Sequence, residues 1–151
     1  MLMNELCRAE VYAFHRFLTK WYAGRDQADK LLFSELTDVL DRDFVLITPF
    51  GRTIGRAELV DHVWRAYGAH AGSARPFKVW VERFDGRALS DTMFLGMYEE
   101  WQWVDARTRV RQTSAIFRRS EQARHGVEWV HVHETWLVPS KTSVERPPST
   151  P

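Results

Sequence analysis

The chain has 151 residues, 44% hydrophobic and 27% charged, which suffices for one domain with a real core and lies far from disordered or fibrous compositions. Its 21 basic and 20 acidic residues leave a formal charge of +1, so no global field gathers nucleic acid or an anionic membrane. A single cysteine, Cys7, excludes an intramolecular disulfide, a cysteine-based zinc site and a CxxC redox motif.

The first residues, MLMNELCRAEVYAF, carry acidic groups and no continuous apolar core, so they do not read as a signal peptide. No stretch approaches the roughly 18 apolar residues of a membrane span. A soluble cytoplasmic protein is the expectation, with no nucleic-acid and no membrane partner. Seven tryptophans are the unusual figure, since tryptophan clusters mark pocket walls and subunit interfaces as well as cores.

In chain order, Leu6, Val11, Phe14, Phe17, Leu18 and Trp21 fall at helical spacing, with Gly24 placed to cap the end. A similar period through Leu32, Phe33, Leu36, Val39 and Leu40 predicts a second helix. FVLITPFGRTIG then reads as a short strand running into a turn, and Leu59, Val63, Trp64 and Tyr67 predict a third helix. From Phe77 to Val138, four alternating runs broken by short polar turns predict an antiparallel meander. Residues 1–138 thus form a single domain, and the Pro-, Ser- and Thr-rich segment 139–151 reads as a disordered tail.

Helices followed by antiparallel strands imply an α+β domain with one sheet face on the helices. Strand side chains alternate, so the more apolar set of each run should face inward. That rule puts Glu99 and Trp101, Gln112 and Ser114, and Val132, Glu134 and Trp136 inside. Tyr98, Glu100, Gln102, Arg111, Thr113, His131 and His133 fall outside, although a bulge near Trp101 would exchange Glu99 with Glu100. His131 and His133 then point away from Glu134, so the three cannot share one metal on a regular strand.

Three helices, the ITPFGRTIG strand and turn, and the closing FRRSEQARHGVEWVHVHETW resemble the nuclear transport factor 2-like, or ketosteroid isomerase-like, superfamily. The last strand is similar to SnoaL-like branches and to the association domain of the calcium/calmodulin-dependent kinase. The resemblance implies a cystatin-like fold, a cone-shaped curved antiparallel sheet wrapped around three N-terminal helices, with an internal pocket and homodimers paired through the outer sheet face. It carries little about activity, because this fold hosts isomerases, dehydratases, cyclases and assembly modules. The steroid isomerase base would fall on the turn at Thr48-Pro49, where a threonine cannot shuttle a proton as a carboxylate does, which argues against that reaction. Tyr12 and Tyr22 are the counterparts available for its oxyanion tyrosine.

The leading candidate site is the inward pair Glu99 and Glu134, placed for proton transfer, with Trp64, Trp101, Gln112, Ser114 and Trp136 as ligand-binding walls. Two carboxylates in an apolar cavity push their pKa values apart, and tryptophans would also receive a cationic ligand. The competing reading pairs them with Arg56, Arg65 or His62 as buried ion pairs. His131 and His133 could supply two metal ligands with Glu100 a possible third, but no further cluster is visible, Arg111 nearby would repel a cation, and hydrogen bonding at a dimer interface suits them better. GRTIGR lacks the continuation of a phosphate loop, so the expectation is cofactor-free. Two functions follow: a small-molecule enzyme or binding protein of the SnoaL-like type with an organic ligand in the cone, or a non-catalytic association module whose pocket is filled by side chains.

Overall fold

The computed structural model describes residues 2–137. Three helices, α1 (Met3–Ala23), α2 (Lys30–Thr37) and α3 (Arg56–Arg65), are followed or interrupted by six strands: β1 (Leu40–Ile47), β2 (Thr53–Gly55), β3 (Lys78–Ala88), β4 (Met93–Val104), β5 (Arg107–Arg119) and β6 (Val127–Trp136). The strands form one open sheet in the order β2-β1-β6-β5-β4-β3. The helices pack on its inner face, giving the expected α+β cone. The segment 139–151, expected as a tail, lies outside the described residues, among which no helix is long and apolar enough to cross a membrane.

Helix α1 follows its predicted period and ends where Gly24 adopts the left-handed conformation at φ 67°, a backbone state that costs glycine least. Gly68 also has positive φ, and its N–H donates to the Trp21 carbonyl; a Cβ on Gly24 would stand 3.1 Å from the Gly68 Cα. The two glycines let the end of α1 touch the segment after α3. Trp21, almost fully buried, stacks on Phe17, packs at an angle against Phe33 and Trp64 and edge-on to Tyr67, and donates its indole N–H to the Val63 carbonyl, tying the three helices together.

Helix α2 is shorter than its apolar period suggests. It stops at Thr37 because the Val39 carbonyl accepts from the Trp129 amide at 2.7 Å and Leu40 already pairs with β6. Sheet pairing wins over local periodicity there, as tertiary context commonly does. That pairing of β1 with β6 is parallel, whereas the other strand pairs are antiparallel.

The inward face of β4 and β5 is the reverse of the one expected from apolar counts. Phe94, Tyr98, Glu100, Gln102, Thr113, Ala115 and Phe117 are buried against the helices, with Arg111 beside them. Leu95, Met97, Glu99, Trp101, Gln112, Ser114 and Ile116 share the outer face. Register between β4 and β5 is regular throughout, so no bulge at Trp101 causes this. Polar residues occupy the inner face because they neutralise one another there, and apolar ones occupy the outer face, so counting misleads. Bulges do occur elsewhere. Arg83, at φ 55°, takes one in β3, and an extra residue at Val130 in β6 lets Trp129 face inward together with Val132 and Glu134.

A buried carboxylate holds α1 to the start of β6. Glu10 is fully buried and accepts from Arg124 Nε and Nη2 at 3.0 and 3.1 Å, His125 Nδ1 at 3.1 Å and Trp129 Nε1 at 3.0 Å. Such a charge is tolerable only when its lone pairs are satisfied. Replacing Glu10 with Ala should therefore cost about 3–5 kcal/mol of stability in urea unfolding, because it strands Arg124 and the Trp129 indole. A loss below about 1 kcal/mol would show that the cluster contributes little.

Candidate functional site

Between the helices and the inner sheet face lies a cavity of about 470 Å³. One wall is apolar, built from Leu18 of α1, Phe44 and Leu46 of β1, Val63 of α3 and Val132 of β6. The opposite wall carries charge: His15 of α1, Glu100 and Gln102 of β4, Arg109 and Arg111 of β5, and Glu134 of β6. The turn at Thr48, Pro49 and Phe50 borders it, with Phe50 exposed and edge-on to Trp136.

The charged groups form a connected chain. His15 Nδ1 lies 2.7 Å from the Val11 carbonyl, and its Nε2 lies 2.8 Å from Glu100 Oε1. The first contact requires a proton on Nδ1, which directs Nε2 to the carboxylate. Gln102 donates to Glu100 Oε2 at 2.6 Å and accepts from Arg109 at 3.1 Å. Arg111 donates to both oxygens of Glu134, at 3.1 and 3.2 Å, and its Nε stands 3.8 Å from Glu100. Both guanidinium groups lie over the Trp136 ring, at 5.2 Å for Arg109 and 4.7 Å for Arg111.

This arrangement separates the two carboxylates electrostatically. Burial would raise Glu100, but the hydrogen bond from His15, the His15 charge and Arg111 outweigh it and hold its pKa down at about 2. Burial and the Glu100 charge push Glu134 up to about 7, against the opposing pull of Arg111. Burial alone would lower His15, yet its bond to Glu100 and that carboxylate's charge raise it. Tyr22 is pushed up to about 12 by burial and then by Glu100, so it remains a neutral hydroxyl. Glu134 is thus poised to exchange a proton near neutral pH while Glu100 stays ionised, a separation of roles that follows from like charges sharing one site.

Of the residues singled out in the sequence, Glu134 lies in this cavity. Glu99 does not; it points outward, accepts from Arg83 at 3.1 Å and from the Trp101 indole at 3.1 Å. Trp101 stacks on Trp80 on that outer face, and Gln112 and Ser114 share the face with it. Trp64 packs on Trp21 and Phe33 at the helix side, half-exposed, and Trp136 supports the two arginines from the cavity's rim. The expected partners of the carboxylates differ as well. Arg56 caps the Thr37 and Leu40 carbonyls and Arg65 pairs with Asp61, leaving Arg111 and His15 to meet Glu134 and Glu100. His131 and His133 lie on the outer face, and no group of three or more His, Cys, Asp or Glu able to hold a metal ion forms among the described residues.

His15, Gln102 and Arg109 were not candidates in the sequence reading; Glu100 entered it as the residue a bulge would exchange with Glu99, and Arg111 as a neighbour of the outer histidines. The one signal available was the pair Arg109 and Arg111, two residues apart on a run flanked by two glutamate-bearing strands.

A family model described as sucrose-6-phosphate phosphohydrolase C-terminal matches residues 7–138. Sucrose-phosphatase 2 of Nicotiana tabacum is 24% identical over 129 residues, covering 85% of this chain and 30% of its own length. The chain therefore spans less than a third of that relative. An NTF2-like protein of unknown function from Pseudomonas aeruginosa superposes with a TM-score of 0.75 at 20% identity, over 87% of this chain and 98% of that one. The S. rosetta CaMKII hub gives a TM-score of 0.67 at 10% identity, over 91% and 98%. At such identities the likeness is one of fold, and the fold is nuclear transport factor 2-like.

The paired carboxylates have a measurable consequence. Glu134 binds its proton more tightly when folded, so its contribution to stability is full below its ordinary value and is lost as pH rises through about 7. His15, also raised, acts in the same direction. Glu100 acts oppositely, its contribution being lost as pH falls toward about 2. Stability should peak at mildly acidic pH and decline above it, and Glu134→Gln should flatten that decline by on the order of 1 to 3 kcal/mol. Urea unfolding across a pH series checks this; an unchanged slope in the variant contradicts it.

Proposed function

Since this chain belongs to the sucrose-6-phosphate phosphohydrolase C-terminal family, we propose that it is a binding module that holds a small organic molecule inside the cone, with Glu134 the group that exchanges a proton there. The observation that carries this reading is the cavity itself. About 470 Å³ with an apolar wall and convergent polar groups falls in the range of small-molecule sites, and Trp64, Trp101 and Trp136 do not fill it. The relative is a sucrose-phosphatase of which this chain spans 30%, and the function proposed is that of this portion alone. Glu134 and Glu100 are both held by hydrogen-bonded partners, which suits a preorganised binding site.

A second role is supported by the outer face. Leu95, Met97, Trp101 and Ile116 share it, Met97 is 44% exposed, and the similar folds include a CaMKII hub and a protein named as a kinase association domain. On this reading two copies pair through the outer face, with His131 and His133 at its centre.

A fragment screen followed by amide and indole NMR tests the binding role. Compounds should shift the Trp129 and Val132 resonances while leaving the outer-face Trp101 indole in place, and Val132→Trp, which fills the cavity, should abolish the shifts while retaining the folded spectrum. If no compound at about 1 mM moves cavity resonances, the binding role is lost. For pairing, Met97→Glu should weaken self-association at least tenfold in sedimentation, on the order of the cost of burying an unpaired charge at an interface. A wild-type monomer at all concentrations would refute it.

A further inference from the structure

The cavity's charged wall is specific about what it can receive. Arg109 and Arg111 project from alternate positions of β5 and line the same cavity, and both Nε donors are buried without a hydrogen-bond acceptor. Each guanidinium gives one amino group to the protein, Arg109 Nη2 to Gln102 and Arg111 Nη1 to Glu134, which leaves further donors of each five-donor fork for a ligand. The Trp136 ring beneath both guanidinium groups restricts their planes, so the two forks are preorganised and do not sweep the cavity as free side chains.

The charge inventory around Glu134 gives the sign. From α1 come His15 and Tyr22, from β4 Tyr98 and Glu100, and from β5 Arg109 and Arg111. His62 of α3 and His70 also line the cavity, and Arg52 at the turn is engaged by Glu58. With His15 protonated beside Glu100, three cations face two carboxylates, leaving one positive charge in excess, and each proton taken up by Glu134 adds another. A singly charged anion that arrives with one proton on Glu134 leaves the wall at that same charge; a cationic ligand adds to the excess. The opposite wall, with Phe44, Leu46 and Val63, leaves an apolar space for the rest of that ligand.

Planar arginine forks match a carboxylate in two-point geometry. Arg111 is the shared element: its Nη1 donates to both oxygens of Glu134 while the rest of its fork makes no such bond, so an incoming carboxylate shares one guanidinium charge with Glu134. A buried Glu134 that shares its cation with a second anion, and lies near Glu100, favours its protonated form. We propose that the cavity takes a small organic carboxylate with an apolar body, bound through its anionic head to Arg109 and Arg111, and that its entry beside Glu134 makes Glu134 take up one proton from solvent. The net change is one anion and one proton bound together. This rests on the reading of the cone as a ligand cavity and goes further by naming the ligand's charge and its coupling to pH.

The test is calorimetric titration and NMR with benzoate and hexanoate, each set against its uncharged amide, benzamide or hexanamide, with inorganic phosphate as a further probe. The carboxylates are expected to shift Trp129 and the arginine Nε–H resonances and to bind at least about tenfold more tightly than their amides. Their affinity should fall about tenfold between about pH 6 and pH 8, with close to one proton taken up per ligand at the alkaline end, counted in buffers of different ionisation heat. Glu134→Gln should bind with the affinity of the acidic wild type, independent of pH and without proton uptake. Arg109→Gln, which removes one fork while leaving the Arg111–Glu134 pair, should lose most of the carboxylate preference with an unchanged melting temperature. Amides binding as well as carboxylates would overturn the anion assignment while the ligand cavity stands. Phosphate binding more tightly than either carboxylate would overturn the choice of head group, and a pH-independent wild type would overturn the coupling to Glu134. If neither carboxylates nor amides perturb the cavity, this inference and the binding function fail together.

Discussion

Everything in the cone is referred to the position of α1, and α1 is held by one buried carboxylate. Glu10 has no water to solvate it and instead receives hydrogen bonds from Arg124, His125 and Trp129, all of which belong to the turn before β6 or to the strand itself. A side chain that must satisfy every lone pair allows the helix little freedom to slide or roll. Further along the helix, His15 reaches Glu100, and Thr19 closes the free edge of β3 by accepting from the Val79 amide and donating to its carbonyl. The edge strand is thereby covered by a helix, one of the ways an open sheet avoids pairing with another chain.

The same helix makes the cavity chemistry possible. Glu100 is ionised because His15 and Arg111 stand beside it, and that ionised neighbour is what pushes Glu134 upward. One carboxylate is stabilised at the expense of the other, so the site holds a fixed charge and a changeable one within a single hydrogen-bonded network. Burying His15, Glu100 and Glu134, with Arg109 and Arg111 half-buried beside them, costs free energy that a purely apolar core would not. On the proposed binding role the charged wall serves the ligand, since the apolar side of the cavity already supplies packing.

Local irregularities in the sheet place this network. The bulge at Val130 shifts β6 by one residue, so that Trp129 can meet Glu10 while Glu134 still meets Arg111. On β3 the left-handed Arg83 turns the strand so that Phe84 stacks on Tyr98 and fits over Gly96, where a Cβ would stand 3.2 Å from the ring. In a strictly alternating sheet neither pairing would form.

The sequence by itself determined the three helices, the first strand and the four-stranded meander in order. Gly24 stopped the first helix, alternation marked the meander, the pattern of helices then strands implied an α+β domain, and the resemblance to the nuclear transport factor 2-like superfamily added the cone. It also put Glu134 on the inner face, because three apolar or aromatic neighbours at even spacing surround it. It chose the wrong inner face for β4 and β5. Leu95, Met97 and Trp101 outnumber Phe94 and Tyr98 there, and the charged residues of the site count against the face that carries them. The tertiary structure decided it, because Glu100, Glu134, Arg111 and His15 come from separate elements and become acceptable inside only when folding brings His15 to Glu100 and Arg111 to Glu134 within hydrogen-bond distance. A charge is polar in sequence whatever its surroundings; only its partner makes it a core residue.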